Sequence, residues 1–286
     1  MADKARLPLA PFLVPCVVLA VVFAAALGEV LGYSFRTFIP GSLDVGGFTL
    51  ENFARIGKPI YARVLRDTFW LSFLTALFTL LLSYPVAFAI VRARRPWLRG
   101  LLIVLAITPM FTGEIVRTYS WMLVLGTNGF VNALLGGLGL IAAPIQFMYR
   151  SIGVVIALVQ FSMPVMIVIL ATALTHIDVD YEKAAANLGA PPSRVFLAVT
   201  LPLSVPGIVS GFIVIFAWTM SAFSTPQLIG GGKVLMISNM VYLQGLSSFN
   251  FPFAAVLSLV ALVAALGTLS LAAPLTKAIE RRAALH

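Results

Sequence analysis

The side chains able to do chemistry are few, and their spacing argues against catalysis. His176 and His286 have no cluster of acids or cysteines at ligand spacing, so no metal site is expected. The single cysteine, Cys16, lies in an apolar run and cannot form an intrachain disulfide. Serines and an occasional acid occur without a triad order, so no residue is assigned a catalytic role. Gly230-Gly231-Gly232-Lys233-Val234 is the nearest imitation of a phosphate loop. Its lysine is followed by valine and its upstream glycine spacing is wrong, so a hinge is the expected role there.

Two polar groupings remain. Glu114 and Arg117 stand three apart, so on a helix they share a face and could pair. Ionisable groups at membrane depth face a protein interior or a wet pathway, which makes both candidates for contact with a solute. Trp218, Ser221, Phe223 and Thr225, with Ser224 and Gln227 beside them, form the second grouping. Aromatics there could close a pore and hold the methylenes or the charge of an amine.

The elements that must position these residues are membrane spans. The chain has 286 residues, 60% hydrophobic and 10% charged, with a mean hydropathy of +1.03. A soluble domain is about a quarter charged. The expected fold is therefore all-α, with six transmembrane helices over about 7–33, 66–91, 100–125, 151–175, 204–225 and 252–276 in one transmembrane domain. Lys4 and Arg6 precede a first apolar run longer than a signal-peptide core, so an uncleaved span is expected. The net charge of +9 is read as an orientation signal, with no nucleic-acid partner.

Arg92, Arg94, Arg95 and Arg99 crowd one short turn, and Lys277, Arg281 and Arg282 follow the last span. Short basic segments stay in the cytoplasm, which places both termini and the loop 176–203 inside. Of the 19 basic residues, 11 fall on that side and 8 on the other.

Within this loop, Tyr181, Ala184, Ala185 and Leu188 recur at helical spacing. Asp178, Asp180 and Glu182 crowd the helix start, where carboxylates are favoured. Gly189 supplies a stop, and Pro191-Pro192 prevent simple continuation. Ser193 can cap a second short helix through Val199, carrying Arg194, which Leu201-Pro202 is expected to close. The expected result is a compact helix-turn-helix knob.

Lys183-Ala184-Ala185-Ala186-Asn187-Leu188-Gly189, followed by Val199-Thr200-Leu201-Pro202, resembles the EAA loop of ABC-importer permeases. Lys183 stands where that motif has glutamate, with Glu182 one residue earlier. Further stretches are similar to the spermidine/putrescine-type branch: Phe48 to Phe53, Ser83 to Phe88, Arg117 to Trp121, Gly129 to Asn132 and Pro252 to Ala255. The resemblance implies a multi-pass subunit of a bacterial inner membrane, working beside a second homologous permease. It also implies two cytoplasmic ATPase subunits carrying ATP and magnesium, an extracytoplasmic solute-binding protein, and surrounding lipid. No cofactor is expected in this chain. The alanine-rich knob would seat in a groove of the ATPase and pass nucleotide-driven closure to the spans.

A polyamine is the first expectation for the solute, although Thr225-Pro226-Gln227 carries no acid. Other amines, amino-acid-like or opine compounds, iron and small oxyanions are the alternatives within this class. From another class, an ion-gradient-driven secondary transporter or a channel would need no knob, and a membrane scaffold would move nothing.

Overall fold

The computed structural model describes residues 10–42 and 44–283. Lys4, Arg6, the start of the expected first span and His286 lie outside the described residues. Among the described residues, five helices are long and apolar enough to cross a membrane, or six if a pair bent by 105° counts as one crossing. The described residues fall into two compact units.

The first unit comprises residues up to Pro59 together with Met240–Val260. Its helix α1, Ala10–Ser34, leaves Leu13, Val14, Val17, Val18 and Val21 exposed. A small antiparallel hairpin follows, β1 Arg36–Phe38 with β2 Val45–Phe48, and then α2, Glu51–Ile56. Asn52 ties them together. Its buried amide donates to the carbonyls of Ser34 at 3.2 Å and Arg36 at 2.8 Å. The guanidinium of Arg55 lies 4.7 Å over the ring of Phe253, and the Asn250 side chain accepts from the Phe253 N–H.

The second unit holds Ile60–Asn239 and the chain from Ala261. Helix α3, Pro59–Arg92, is organised inside out. Thr68, Ser72, Thr75, Thr79 and Ser83 recur every three or four residues and are fully buried. Phe69, Trp70, Phe78, Leu81 and Leu82 point outward. Lipid is as apolar as leucine, so helices gain little by hiding large side chains and gain most from close backbone approach through small ones. The hydroxyl of Thr68 donates to the Val64 carbonyl and accepts from the Ile237 N–H.

Next come α4, Pro96–Ile107, a 3-10 turn at Thr108–Phe111, α5, Glu114–Leu125, and α6, Phe130–Gly137. The third crossing was expected as one span over about 100–125. Pro109 lies in the tight turn and Thr112 is extended, so the helix breaks there and turns by 105°. The amide of Asn132 then binds the Gly126 and Ile145 carbonyls and accepts from the Ile145 N–H, closing the loop beyond α6.

Helix α7, Ser151–Thr175, is the centre of the unit. Its Met166, Leu170 and Leu174 pack with Ala76 and Ala87 of α3, and with Ile215, Phe216 and Met220. After α8, Val179–Asn187, and α9, Pro192–Val195, a π turn at Phe196–Thr200 leads directly into α10, Leu201–Met220. Leu201-Pro202 therefore does not close a helix, and the apolar segment runs from Pro192 to Met220. Pro202 has no N–H for the carbonyl four residues back, and the widened π turn takes up that misfit. Ser193 does not cap α9 either. Pro191 holds the cap position in extended conformation, with Pro192 at the first helical position.

Gly207 and Gly211 let α10 approach α7. A β-carbon at Gly207 would collide with Ala173, and one at Gly211 would lie 2.7 Å from the Met166 sulfur. Gly207→Val should cost about 1–3 kcal/mol of stability by overpacking. A lowered unfolding temperature of the purified protein in detergent is the readout.

The chain ends with α11, Ser224–Gly230, α12, Ile237–Tyr242, a π turn at Leu243–Ser247 and α13, Phe251–Ala283. The triple-glycine segment runs from a buried Gly230 to an exposed Gly231 and Gly232. Gly231 and Gly232 have left-handed φ of +54° and +76°, Gly231 backs onto the Tyr149 ring, and the Lys233 ammonium lies 5.6 Å over that ring.

Candidate functional site

The knob forms as its sequence dictates. The Asp178 carboxylate accepts from the Asp180 N–H at 2.9 Å and caps α8, with Asp180 and Glu182 in the first turn. At the other end Gly189 takes a φ of +85°, the left-handed conformation that glycine adopts without strain. The Ala190 N–H then reaches the Ala185 carbonyl and the Gly189 N–H reaches the Ala186 carbonyl, closing a Schellman motif. Pro191 carries the extended chain into α9.

Glu182 holds the knob to the bundle. Its Oε1 accepts from Arg92 at 2.8 and 3.2 Å and from the Thr200 hydroxyl at 2.9 Å. Arg92 also donates to the Ile177 carbonyl at 3.4 Å. The two charged side chains are only 17% and 18% exposed, so this pair is strong by comparison with a surface ion pair. One carboxylate thereby joins the end of α3, the first turn of α8 and the π turn that feeds α10.

Lys183 is turned outward. Its ammonium bonds Asp180 at 2.7 Å, and that hydrogen bond, followed by the nearby carboxylate charges of Asp180 and Asp178, raises its pKa above the ordinary lysine value. Tyr181 and Leu188 project at 61% and 89% exposure, with Ala184 exposed between them. Ala185 is half-buried, Arg194 and Pro202 are exposed, and Leu201 is half-buried. Leu197, which the sequence did not single out, adds a further exposed apolar side chain.

The second grouping is brought together only in part. Glu114 opens α5 and is exposed; among the described residues it makes no ion pair with Arg117. Arg117 instead donates to the Thr112 carbonyl at 3.0 Å and lays its guanidinium 4.7 Å over the ring of Phe161. The rings of Phe161 and Trp218 meet edge-to-face with centroids 6.2 Å apart, and Trp218 is 47% exposed. Ser221 donates to the Trp218 carbonyl. Thr225 is buried, 3.4 Å from the Thr118 hydroxyl, and Phe223 is half-buried just before α11. Phe161 is therefore the hub of this cluster, with Gln160 beside it accepting from the Trp121 indole at 3.0 Å. Neither residue stands out in an uncharged span whose period is that of any buried helix.

The fold and these sites define a helical multi-pass membrane protein with an anchored loop. Residues 79–284 match the family described as "Binding-protein-dependent transport system inner membrane component". The spermidine/putrescine transport system permease protein PotB of Haemophilus influenzae is 34% identical over 230 residues, covering 80% of each chain. The inner membrane ABC transporter permease protein YdcU of Escherichia coli is 28% identical over 261 residues, covering 87% of this chain and 83% of its own. Among solved structures, a chain of a bacterial alginate ABC transporter, crystallised with its pentasaccharide-bound periplasmic protein, shares the fold. It has a TM-score of 0.77 at 19% identity, with 92% of both chains covered. The chain belongs to the binding-protein-dependent inner membrane component family. It is a permease subunit of an ABC importer and a transport component, not an enzyme.

Proposed function

We propose that this chain forms half of the translocation pathway of an importer for a spermidine- or putrescine-like polyamine in a bacterial inner membrane. A second homologous permease completes the pathway, an extracytoplasmic binding protein delivers the solute, and two cytoplasmic ATPases drive it. The likeness to PotB, over four fifths of both chains, carries the substrate assignment. The exposed tip of the knob, Tyr181, Ala184 and Leu188, docks in a groove of the ATPase. Glu182 supports this by fixing that tip to α3 and α10, so that movement of the groove moves the spans.

The cluster of Arg117, Phe161 and Trp218 contains no carboxylate. Trp218 offers its ring to the solute's methylenes, and the acids that balance its ammonium groups come from the partner permease. Trp218→Ala should weaken transport about tenfold, the scale of losing one aromatic contact to a cationic chain, with ATPase assembly unchanged. The substrate reading is tested by uptake into proteoliposomes holding the complete transporter, offered labelled spermidine against an excess of unlabelled putrescine, an opine or molybdate. Competition by putrescine alone supports it. Competition by the opine or molybdate and none by putrescine rejects it.

A further inference from the structure

Phe161, the ring beneath the Arg117 guanidinium, stands ten residues into the 25-residue α7, about 15 Å from its Arg150 end. The hydrocarbon layer is about 30 Å thick, so Arg117 holds its charge near the middle of it. A guanidinium has five N–H donors. One hydrogen bond, to the Thr112 carbonyl, engages them here, and Nε is buried without a partner. A cation at that depth is costly unless an acid or a wet pathway meets it.

The described residues do not supply the acid. No carboxylate among them lies within ion-pair distance of Arg117. Helix α5 packs on α7 and α11, and the Phe161 ring continues the cluster to Trp218 of α10. None of these three neighbouring helices contains an Asp or a Glu. Glu114, one turn before Arg117, is exposed at the start of α5. The Phe161 ring covers one face of the guanidinium, but a ring carries no net charge. Arg117 is only half-buried and Trp218 is open at the surface, so the cation can be reached from outside the chain.

We propose that Arg117 pairs with a carboxylate of the second permease subunit across the solute pathway. The proposal rests on the polyamine reading, in which the acids that balance the solute's ammonium groups belong to that subunit. A polycationic solute cannot be the counter-ion of a guanidinium, so the acid is the partner's. Arg117 and an arriving ammonium group then compete for the same carboxylate. That competition keeps the solute's hold on the permease weak and makes Arg117 a specificity-determining residue, because a neutral solute has no charge with which to compete.

The test is native mass spectrometry of the complete detergent-purified transporter, read as the fraction that loses one permease subunit with no solute present. Arg117→Gln, which keeps a donor for the Thr112 carbonyl, should raise that fraction about tenfold because the partner's carboxylate is left unpaired. Arg117→Lys should stay near the intact complex, and Glu114→Gln should leave it unchanged. Spermidine should restore association in Arg117→Gln, and succinate should not. Undiminished association in Arg117→Gln overturns the proposal. An equal loss in Arg117→Lys would mark packing in place of charge, and an equal loss in Glu114→Gln would put the counter-ion within this chain; either overturns it. Succinate that tightens the intact complex but not Arg117→Gln would make the ligand an anionic solute and overturn the partner's acid. If the intact transporter takes up spermidine while spermidine restores nothing in Arg117→Gln, the competition is overturned. The solute-free comparison stands or falls separately from spermidine uptake by the intact transporter, which tests the polyamine reading.

Discussion

Leu188→Glu is expected to strip the ATPase from the purified complex while the permease remains inserted. Leu188 is 89% exposed at the tip of α8, so its removal takes no contact from the bundle. Buried in a partner's groove, a leucine contributes about 1.5–3 kcal/mol, and a carboxylate left there without a partner costs more than that gain. The expected weakening of docking is therefore roughly a hundredfold or greater. A large charged side chain at Ala184 should act alike, because it stands on the same face. Co-purification followed by size-exclusion chromatography reads both. An undiminished complex would remove the knob from the interface.

Glu182→Ala should have the second-largest effect, by a different route. The change leaves Arg92 without its carboxylate in a largely buried position and deprives Thr200 of its acceptor. Removing one partner of a fully buried pair costs about 3–5 kcal/mol; at 17% and 18% exposure water screens this pair in part, and about 2–3 kcal/mol is expected. ATPase docking should survive because the exposed tip is untouched, but solute uptake per ATP hydrolysed should fall. The thermal midpoint should drop with it. Arg92→Ala should produce a similar loss, and the double variant should cost less than the two single losses added together. Strict additivity would mean that the ion pair does not couple the two elements.

Much of this arrangement is legible in the chain because lipid imposes a coarse rule. Uncharged stretches such as 68–91 and 151–175 have few alternatives to helical crossing, and Asp178, Gly189 and Pro191 punctuate the knob so strongly that α8 starts and stops where they dictate. The sequence is less informative where tertiary packing decides. Pro202 reads as a terminator, yet a π turn one step earlier lets the helix continue. Glu114 and Arg117 have the spacing of an ion pair, but the Phe161 ring and the Thr112 carbonyl capture the guanidinium.

Glu182 shows the same limit at the site itself. The likeness to an alanine-rich loop draws attention to position 183 and its unexpected lysine, whereas the structural contact is made one residue earlier. Only the packing of α8 against the end of α3 reveals that Glu182 faces Arg92 across ninety positions of sequence. Phe161 was hidden for a related reason, since an aromatic in an apolar helix has no periodic signature that separates a pathway hub from ordinary core.

The most direct test of the account is ATP dependence of uptake in proteoliposomes containing the complete transporter, with its binding protein, and labelled spermidine. Uptake should require hydrolysable ATP, ignore an imposed ion gradient, and disappear in Leu188→Glu while the permease remains in the membrane. Uptake that persisted without ATP or the ATPase, or that continued unchanged in Leu188→Glu, would contradict it.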